Sequence, residues 1–305
     1  MSSSPYDVLV FGAGQIAAGY DAPYGESVLT HAHAIIKQPG FNLLGFYDID
    51  FEKAEQSAQK WGCRAYDEPV TADVIAICTP DDRHLESVSM AVSLHPKLII
   101  LEKPIARSLE DALGIIRTAG EIPVQVNFTR RFVQEFQELA VNVREFGAFL
   151  TGTGLYGKGF IHNGSHMIDL LRLLIGEIRT IETLSEMFDF YDDDATKTVR
   201  ISFDKGGEFY MRGIDCRHYS IFELELCFEK ARVRMLDSGK SIQIDRVMPS
   251  PQYSGYDILT PAEQYSTGLS SAMLNLYKNA YEHLTHGSDL LLPIKSAIVK
   301  GLYIQ

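Results

Sequence analysis

Two kinds of hydrophobic pattern alternate along the first 125 residues. Short β-branched and apolar runs predict strands at Asp7–Phe11, Leu43–Tyr47, Val74–Cys78, Lys97–Leu101 and Pro123–Asn127. Helical spacing of apolar positions predicts helices at Thr30–Lys37, Phe51–Trp61, Asp82–Ser93 and Leu109–Ala119, with another at Arg131–Phe146. Because strands that alternate with crossover helices form a parallel sheet, residues 1–125 are predicted to form a doubly wound α/β domain.

The pattern changes near Leu150, where longer runs alternate between apolar and polar positions. These runs predict antiparallel or mixed strands at Thr196–Phe203, Glu208–Ile214, Ile221–Phe228 and Ala231–Leu236. Helices are predicted at Ser165–Ile175 and Leu269–Leu284, and Met248–Gln264 is predicted to be a long loop. Residues 126–305 are therefore expected to form an α+β domain with a large open mixed or antiparallel sheet, whose C-terminal helices could pack back on the first domain.

Composition and charge argue against a membrane span and against a nucleic-acid partner. Hydrophobic residues make up 46% of the chain and charged residues 22%, and no apolar run approaches the ~20 residues of a membrane span, so we expect a soluble protein. The net charge of -12 would repel a nucleic acid. The N-terminus lacks the features of a secretory signal, which favours the cytoplasm, where the four scattered cysteines would be reduced and buried.

A glycine-rich turn follows the first predicted strand. The run G-A-G-Q-I-A at Gly12–Ala17 matches the G-x-G-x-x-A fingerprint, whose glycines allow a tight turn and a close approach to a pyrophosphate. The helix start behind it would offer free N–H groups to that anion. After the second strand, a carboxylate can accept hydrogen bonds from an adenosine ribose. The pattern predicts a Rossmann-type site that includes Gly12, Gly14, Gln15, Ile16 and Asp48.

The spacing within this fingerprint is unusual. Asp48 lies 34 positions after Gly14, whereas about 20 residues usually separate the glycines from the acid. The predicted insertion is Tyr20–Leu29, a loop near the cofactor cleft. Asp48 and Asp50 would repel the 2′-phosphate of NADP, whereas the 2′-hydroxyl of NAD could donate to one of them. NAD is therefore the expected cofactor and NADP the less favoured one.

Two further motifs follow predicted strands. One is T-P-x-x-x-H, with Thr79, Pro80 and His84, and the other is E-K-P at Glu102–Pro104. Ligands of open parallel sheets bind beyond the carboxyl ends of the strands, so both motifs should line the cleft.

With these motifs the chain resembles the Gfo/Idh/MocA family, which includes glucose-fructose oxidoreductase and inositol dehydrogenase. The resemblance covers essentially the whole chain and rests on segments at Gly12–Ala17, Thr79–His84, Glu102–Pro104, Asn127–Phe132 and Gly164–Asp169. It implies a two-domain oxidoreductase that moves a hydride between a nicotinamide cofactor and a carbon of a sugar, sugar nucleotide or cyclitol.

The resemblance implies that Lys103 contacts both cofactor and substrate. An ammonium there can bind the reacting oxygen and stabilise its developing negative charge. Pro104 biases Lys103 toward an extended backbone, and the bond between them could be cis. The alternative is a surface lysine at the end of a strand.

His166 is the second predicted catalytic residue. Asn163 could cap the following helix, which would place His166 in its first turn. The positive end of the helix dipole would keep the ring neutral, as a general base that accepts a hydroxyl proton requires. The alternative is a histidine packed inside the domain interface.

The chain departs from the family four positions before this histidine, where His162 replaces the usual aspartate. His162 could serve as the acid/base, contact an anionic group of the substrate, or simply pack. Histidines at i and i+4 could also chelate zinc, but Asn163 and Gly164 are expected to lie outside the helix, so no metal site is predicted.

Three further polar features have open roles. Asp169 could orient a polar neighbour, contact the substrate or carry a helix N-terminal charge. Arg130 and Arg131 could bind a substrate carboxylate or phosphate, or form an interdomain salt bridge. The acidic run Tyr191–Asp194 is predicted to be a solvated hairpin turn.

The function predicted from the sequence is that of an NAD-dependent dehydrogenase acting on a small carbohydrate or sugar nucleotide, with Lys103, His166 and His162 as catalytic residues. His162, Asp169 and Arg130 are the predicted substrate contacts. The alternatives are sugar chemistry that uses NAD only transiently and a non-catalytic nucleotide-binding sensor. The open sheet is expected to present an apolar outer face and to form a homodimer or homotetramer.

Overall fold

The chain folds into two compact units, and the computed structural model describes residues 4–303. The first unit runs to Phe132, beyond the predicted boundary at residue 125, and also includes Ser270–Ile298. The second unit is formed by Val133–Leu269 and the residues from Val299 onward. Residues 1–3 and 304–305, which the predicted domains include, lie outside the described part of the chain.

The first unit is built on a parallel sheet that has six strands within residues 4–303. The strands are β1 (Tyr6–Phe11), β2 (Phe41–Tyr47), β3 (Arg64–Tyr66), β4 (Val74–Ile77), β5 (Leu98–Glu102) and β6 (Val124–Asn127). Their order is β3-β2-β1-β4-β5-β6, and every neighbouring pair is parallel. From β1 the strand order proceeds to one side through β2 and β3, and from β4 it proceeds to the other side through β5 and β6. The connections on either side of this switch point diverge, so a crevice forms at the carboxyl ends of β1 and β4.

Helices connect the strands of this sheet. They are α1 (His31–Lys37), α2 (Phe51–Trp61), α3 (His84–Ser93) and α4 (Leu109–Ala119). The bounds of α2 and α4 agree with the sequence pattern, and the Ser108 side chain caps α4 by accepting from the Asp111 N–H. The central strands are buried along their length, which explains their continuous apolar runs.

The C-terminal helices α7 (Ala272–His286) and α8 (Ile294–Ala297) also belong to the first unit. Asn275 of α7 donates to the Phe132 carbonyl at 2.9 Å, and the Tyr277 ring packs edge-on against Phe41 of β2. Tyr277 is fully buried, so this part of the core depends on a segment from the far end of the chain.

The second unit contains a mixed sheet that has eight strands among the described residues. The strands are β7 (Phe149–Tyr156), β8 (Ile178–Met187), β9 (Thr196–Phe203), β10 (Glu208–Gly213), β11 (Phe222–Phe228), β12 (Ala231–Leu236), β13 (Ser241–Pro249) and β14 (Asp257–Ser266). Their order is β14-β13-β12-β11-β7-β10-β9-β8, with β7 and β10 paired in parallel and the other neighbours antiparallel. Two helices, α5 (Gln134–Asn142) and α6 (Ser165–Leu174), complete the unit.

The prediction of a long loop at Met248–Gln264 is wrong. This stretch contains the end of β13 and most of β14, which pair from Ser241 to Pro249. Proline normally argues against a strand, but β14 is an edge strand, and Pro261 lies where the register shifts beside Asp245. The prolines of this stretch, Pro249, Pro251 and Pro261, therefore made a hairpin of two strands look like a loop in the sequence.

The expectation of a broadly apolar outer sheet face is also wrong for the central strands. One face of β9, β11 and β12 is apolar and buried, whereas the outward positions include Arg200, Glu225 and Arg232. Arg232 donates to Asp245 at 2.7 Å, and Arg234 donates to the same carboxylate at 3.3 Å. The edge strands carry the exposed apolar side chains of Leu184, Met187, Ile258 and Leu259, and Leu150 of β7 and Tyr210 of β10 are also exposed.

Two properties of the whole chain bear on the earlier expectations. The helices between residues 4 and 303 all fall short of the length and apolar character needed to cross a bilayer. The four cysteines are unpaired, with Cys78 and Cys216 buried and Cys63 and Cys227 half-buried.

Candidate active site

The glycine turn after β1 forms one wall of a cavity of about 500 Å³ at the carboxyl ends of β1, β2 and β4. Gly12 has φ +88°, and a Cβ there would lie 2.7 Å from the Cys78 carbonyl oxygen, so only glycine fits. A Cβ on Gly14 would meet nothing within 4 Å, because this residue borders the open cavity. The backbone at Gly14 is therefore open to a ligand.

The chain after this turn contains a short helical turn and then the predicted insertion. Gln15–Gly19 forms one π-helical turn, and the regular helix α1 begins only at His31. The intervening insertion is pinned by Asp21, whose carboxylate accepts from the Leu29 N–H at 2.6 Å and from His33 Nδ1 at 2.9 Å. Burial opposes ionisation, but hydrogen bonds from Thr30, Leu29 and His33 outweigh it and lower the pKa of Asp21.

Asp48 braces the glycine turn and lines the same cavity. Its Oδ2 accepts from the Ala13 N–H at 2.8 Å and its Oδ1 from the Asp50 N–H at 2.9 Å. The predicted residues that the structure brings to the cavity wall are Gly12, Gly14, Asp48, Thr79 and Pro80. The wall also includes Ile49, Lys53 and Arg83, which the sequence reasoning missed because no fingerprint position marks them.

His84 is a buried brace between two motifs. One ring nitrogen lies 3.0 Å from the Ile105 carbonyl oxygen, and the other lies 3.1 Å from the Thr79 carbonyl oxygen. Burial lowers the pKa of His84, so the neutral ring donates to one carbonyl at a time. His84 therefore ties the T-P segment to the chain that follows the E-K-P motif.

Glu102 lies buried at the end of β5, directly before Lys103. Its carboxylate accepts from Asn127 Nδ2 at 2.6 Å and lies 2.8 Å from Nε2 of His31. The other His31 nitrogen lies 2.8 Å from the Tyr277 hydroxyl. Burial opposes ionisation, but the contacts with His31 and Asn127 outweigh it and lower the pKa of Glu102.

The chain around this network carries two further predicted site residues. The bond between Lys103 and Pro104 is cis. Arg130 lies in a short 3₁₀ turn, Thr129–Phe132, that follows β6. No sequence signal identified His31 and Tyr277 as neighbours of Glu102, because the four network positions are scattered over the whole chain.

In the second unit, His162 lies in a π-helical turn, Gly159–Gly164, that leads directly into α6. Its Nδ1 lies 2.7 Å from Oδ2 of Asp194, and its ring stacks on Tyr191 with a centroid distance of 4.0 Å and an interplanar angle of 15°. Asp194 is buried, so the prediction of a solvated turn holds only for the exposed Asp192 and Asp193 and is wrong for Asp194.

The predicted cap of α6 is wrong as well. Asn163 donates to the Gly157 carbonyl at 2.7 Å and does not cap the helix. Because the π-helical turn precedes α6 without a break, the helical segment starts near Gly159, so His162 and not His166 lies in its first turn. His166 packs edge-on against Phe222, and Asp169 is buried one turn further on.

Comparison with known proteins adds independent information. Residues 6–129 match the model of an oxidoreductase family with an NAD-binding Rossmann fold, GFO_IDH_MocA. D-glucoside 3-dehydrogenase of Escherichia coli (strain K12) is 26% identical over 282 residues, which are 76% of this chain and 77% of that protein. Inositol 2-dehydrogenase 1 of Mycolicibacterium vanbaalenii is 30% identical over 146 residues, 45% of this chain and 39% of that protein.

A solved structure matches the fold of nearly the whole chain. The WlbA dehydrogenase from Bordetella pertussis, crystallised in complex with NADH and UDP-GlcNAcA, aligns with a TM-score of 0.77 over 97% of this chain and 92% of that chain. The sequence identity is 15%, so this likeness concerns the fold alone.

Proposed function

We propose that the chain is a member of the Gfo/Idh/MocA oxidoreductase family, whose model its residues 6–129 match, and that it is an NAD-dependent dehydrogenase. Its reaction transfers a hydride between the nicotinamide cofactor and a secondary hydroxyl or ketone of a sugar, sugar nucleotide or cyclitol. The observation that carries this proposal is the cavity of about 500 Å³ beside the glycine turn, with Gly14 and Asp48 in its wall.

The residues of this cavity fit a dinucleotide. Gly14 leaves room where a side chain would stand, so its backbone can approach a pyrophosphate. Asp48 supplies a carboxylate for ribose hydroxyls, and Ile49, whose side chain is 90% exposed, offers an apolar surface to an adenine ring. When bound, the nicotinamide supplies the redox chemistry by accepting or donating a hydride.

The charges of the cavity favour NAD over NADP. The Asp48 carboxylate would lie near a 2′-phosphate and repel it. Two cations line the same cavity, but each has an acidic partner: Lys53 lies 3.4 Å from Asp50, and Arg83 donates to Glu86 at 2.8 Å. These pairs are exposed and weak, so they reduce the attraction for a phosphate without removing it.

The polar side chains have three roles in the proposed reaction, and His162 takes part in two of them. Lys103 binds the reacting oxygen and stabilises its negative charge, while the Glu102 network positions the backbone that carries it. His162 and His166 bind and exchange the hydroxyl proton. Asp169, Arg130 and His162 contact substrate hydroxyl or anionic groups. The proposed substrate is a small carbohydrate, and no nucleic acid or membrane partner is part of this proposal.

The test combines cofactor binding with a substrate screen. Calorimetry should detect binding of NAD, and incubation with NAD or NADP and a panel of sugars, sugar nucleotides and cyclitols should produce reduced nicotinamide with at least one substrate. Failure to bind either dinucleotide would overturn the proposal. Turnover without net reduction would favour transient use of the cofactor, and binding without any turnover would favour a sensor.

A further inference from the structure

The loop between β8 and β9 carries a buried carboxylate that the proposed reaction has not yet used. Asp194 Oδ1 accepts from the Phe160 and Ile161 N–H groups, both at 3.0 Å. Its Oδ2 accepts from the Ile161 N–H at 3.0 Å and from the His162 N–H at 2.8 Å. This arrangement of backbone donors is suited to an anion, which accepts hydrogen bonds and donates none.

The fifth contact of this carboxylate determines where the His162 ring holds its hydrogen. Nδ1 of His162 lies 2.7 Å from Oδ2, and this contact requires a hydrogen on Nδ1 because the ionised carboxylate has none to give. In the neutral ring the lone pair therefore lies on Nε2, on the opposite side of the imidazole. The stacked Tyr191 ring, 4.0 Å away, fixes the plane in which both nitrogens lie.

We propose that Asp194 is a positioning residue that makes Nε2 of His162 the proton acceptor of the dehydrogenase reaction. This inference rests on the proposed function. In the oxidation direction a bound nicotinamide would supply the redox chemistry by taking the C–H hydrogen with its electron pair as a hydride, so that the C–O bond would become a carbonyl. The hydroxyl proton passes to Nε2, and the resulting imidazolium, stabilised by Asp194 through Nδ1–H, later releases this proton to water.

Asp194 itself does not take the substrate proton. Its oxygens are saturated by four backbone N–H contacts and one ring N–H, and the carboxylate is 5% exposed. The His162 side chain is 15% exposed. In this proposal the carboxylate orients the imidazole and the imidazole transfers the proton, as such pairs do in other enzymes.

A second carboxylate of the same loop provides the matched control. Asp189 is also buried, and it accepts from the Lys158 N–H at 2.9 Å, the Cys216 N–H at 3.2 Å and the Thr196 hydroxyl at 2.7 Å. It braces the chain beside the same π-helical turn without a bond to the His162 ring. Loss of Asp189 therefore reports the effect of weakening the loop alone.

The first measurement is nitrogen NMR of the intact protein without substrate, which distinguishes the two neutral tautomers of a histidine ring. The His162 ring of the unmodified protein should carry its hydrogen on Nδ1. In Asp194→Asn the new amide can donate to Nδ1, and the hydrogen should move to Nε2. Asp189→Asn should keep the original tautomer. An Nε2–H ring in the unmodified protein would overturn the proposal even if Asp194→Asn failed to fold.

The second measurement is turnover of a substrate found in the screen. Asp194→Asn should lower kcat by ~100-fold or more with a small change in KM, because the wrong tautomer cannot accept the proton. His162→Gln should cost a similar factor, and the double variant should cost no more than either single one. Asp189→Asn should stay within a few-fold of the original kcat.

The possible failures are distinguishable. Additive losses in the double variant, or an equal loss in Asp189→Asn, would overturn the role of Asp194 while leaving the dehydrogenase intact. If the original protein reduced no cofactor with any substrate, the proposed function would fail, and the tautomer measurement would still decide whether Asp194 sets the state of His162.

Discussion

Lys103 follows the buried carboxylate of Glu102 in the chain, and its proposed role predicts how much turnover its substitution should remove. Lys103→Met should lower turnover by ~100-fold or more, because the reacting oxygen loses its electrostatic partner, while NAD binding should persist. The matched control is Lys97→Met: Lys97 lies just before β5 and pairs with Asp73 at 2.9 Å on the surface. Steady-state kinetics and calorimetry check both variants, and unchanged turnover in Lys103→Met would remove its proposed role.

The cofactor preference should depend on one carboxylate of the cavity. Asp48→Asn removes the charge, keeps an acceptor for the Ala13 N–H, and should raise the ratio of kcat/KM for NADP over NAD by ~10-fold or more. Asp50→Asn should raise the ratio by much less, because Asp50 lies outside the cavity wall and acts only through its weak, exposed pair with Lys53. Equal shifts in the two variants would assign the preference to general charge instead of Asp48.

At the scale of single residues, a motif locates positions that line the cavity, whereas the burial of a polar side chain cannot be read from the sequence. Gly12, Gly14 and Asp48 lie at the cavity as the fingerprint predicts. Asp194 looked solvated because it belongs to an acidic run, and its burial depends on a segment more than 30 positions earlier in the chain. The spacing of apolar residues around Asp194 therefore cannot reveal that its side chain is buried.

The π-helical turn before α6 depends on the absence of one side chain. Gly159 has φ +81°, and a Cβ there would overlap the Asp194 carboxylate. Gly159→Ala should cost about 1–2 kcal/mol in backbone strain and a further ~1–3 kcal/mol in disrupted hydrogen bonds. Gly206→Ala, at φ +93° with open space around it, should cost the strain alone. Thermal unfolding of the two variants measures the difference, and equal losses would contradict the packing argument.

The insertion before α1 should become less stable in acid. The pKa of Asp21 is lowered from its ordinary value of 3.8, so its contribution to stability is present above that pH and is lost as the pH falls through the folded pKa. Asp21→Asn should therefore lower the Tm by a few degrees at neutral pH, and the difference from the original protein should vanish well below pH 3.8. A difference that persisted in acid would show that shape, and not charge, holds the loop.

At the scale of elements, strong periodicity predicted bounds well. The predicted bounds of α2, α4, β9 and β12 agree with the structure because their apolar positions recur with the period of a helix or of a strand. The short strand β3 and the edge strand β14 were missed. The three residues of β3 are too few to show a period. The prolines of β14 argued against a strand, because a proline lacks the N–H of a strand hydrogen bond and fits only at a sheet edge or a bulge.

For the whole molecule, the second sheet bears on self-association. Strand β14 is ten residues long, lies at the sheet edge and is exposed along almost its whole length, with Ile258 and Leu259 among its exposed side chains. Such an edge is a template for pairing with another chain, so we expect a homodimer or homotetramer. Light scattering at micromolar concentration should report at least twice the monomer mass of 34.1 kDa, and a monomer would refute this expectation.

The contribution of α7 to the first unit has a consequence for how the protein is made. The hydroxyl that meets His31 belongs to Tyr277, and the unit is not complete before Ile298 of the 305 residues. A ribosome synthesises the chain from its N-terminus, so the nucleotide-binding half cannot finish its core until α7 has been made, after the main segment of the second unit. A chain that stops before α7 should therefore fail to bind NAD, even though it contains the whole glycine turn and Asp48.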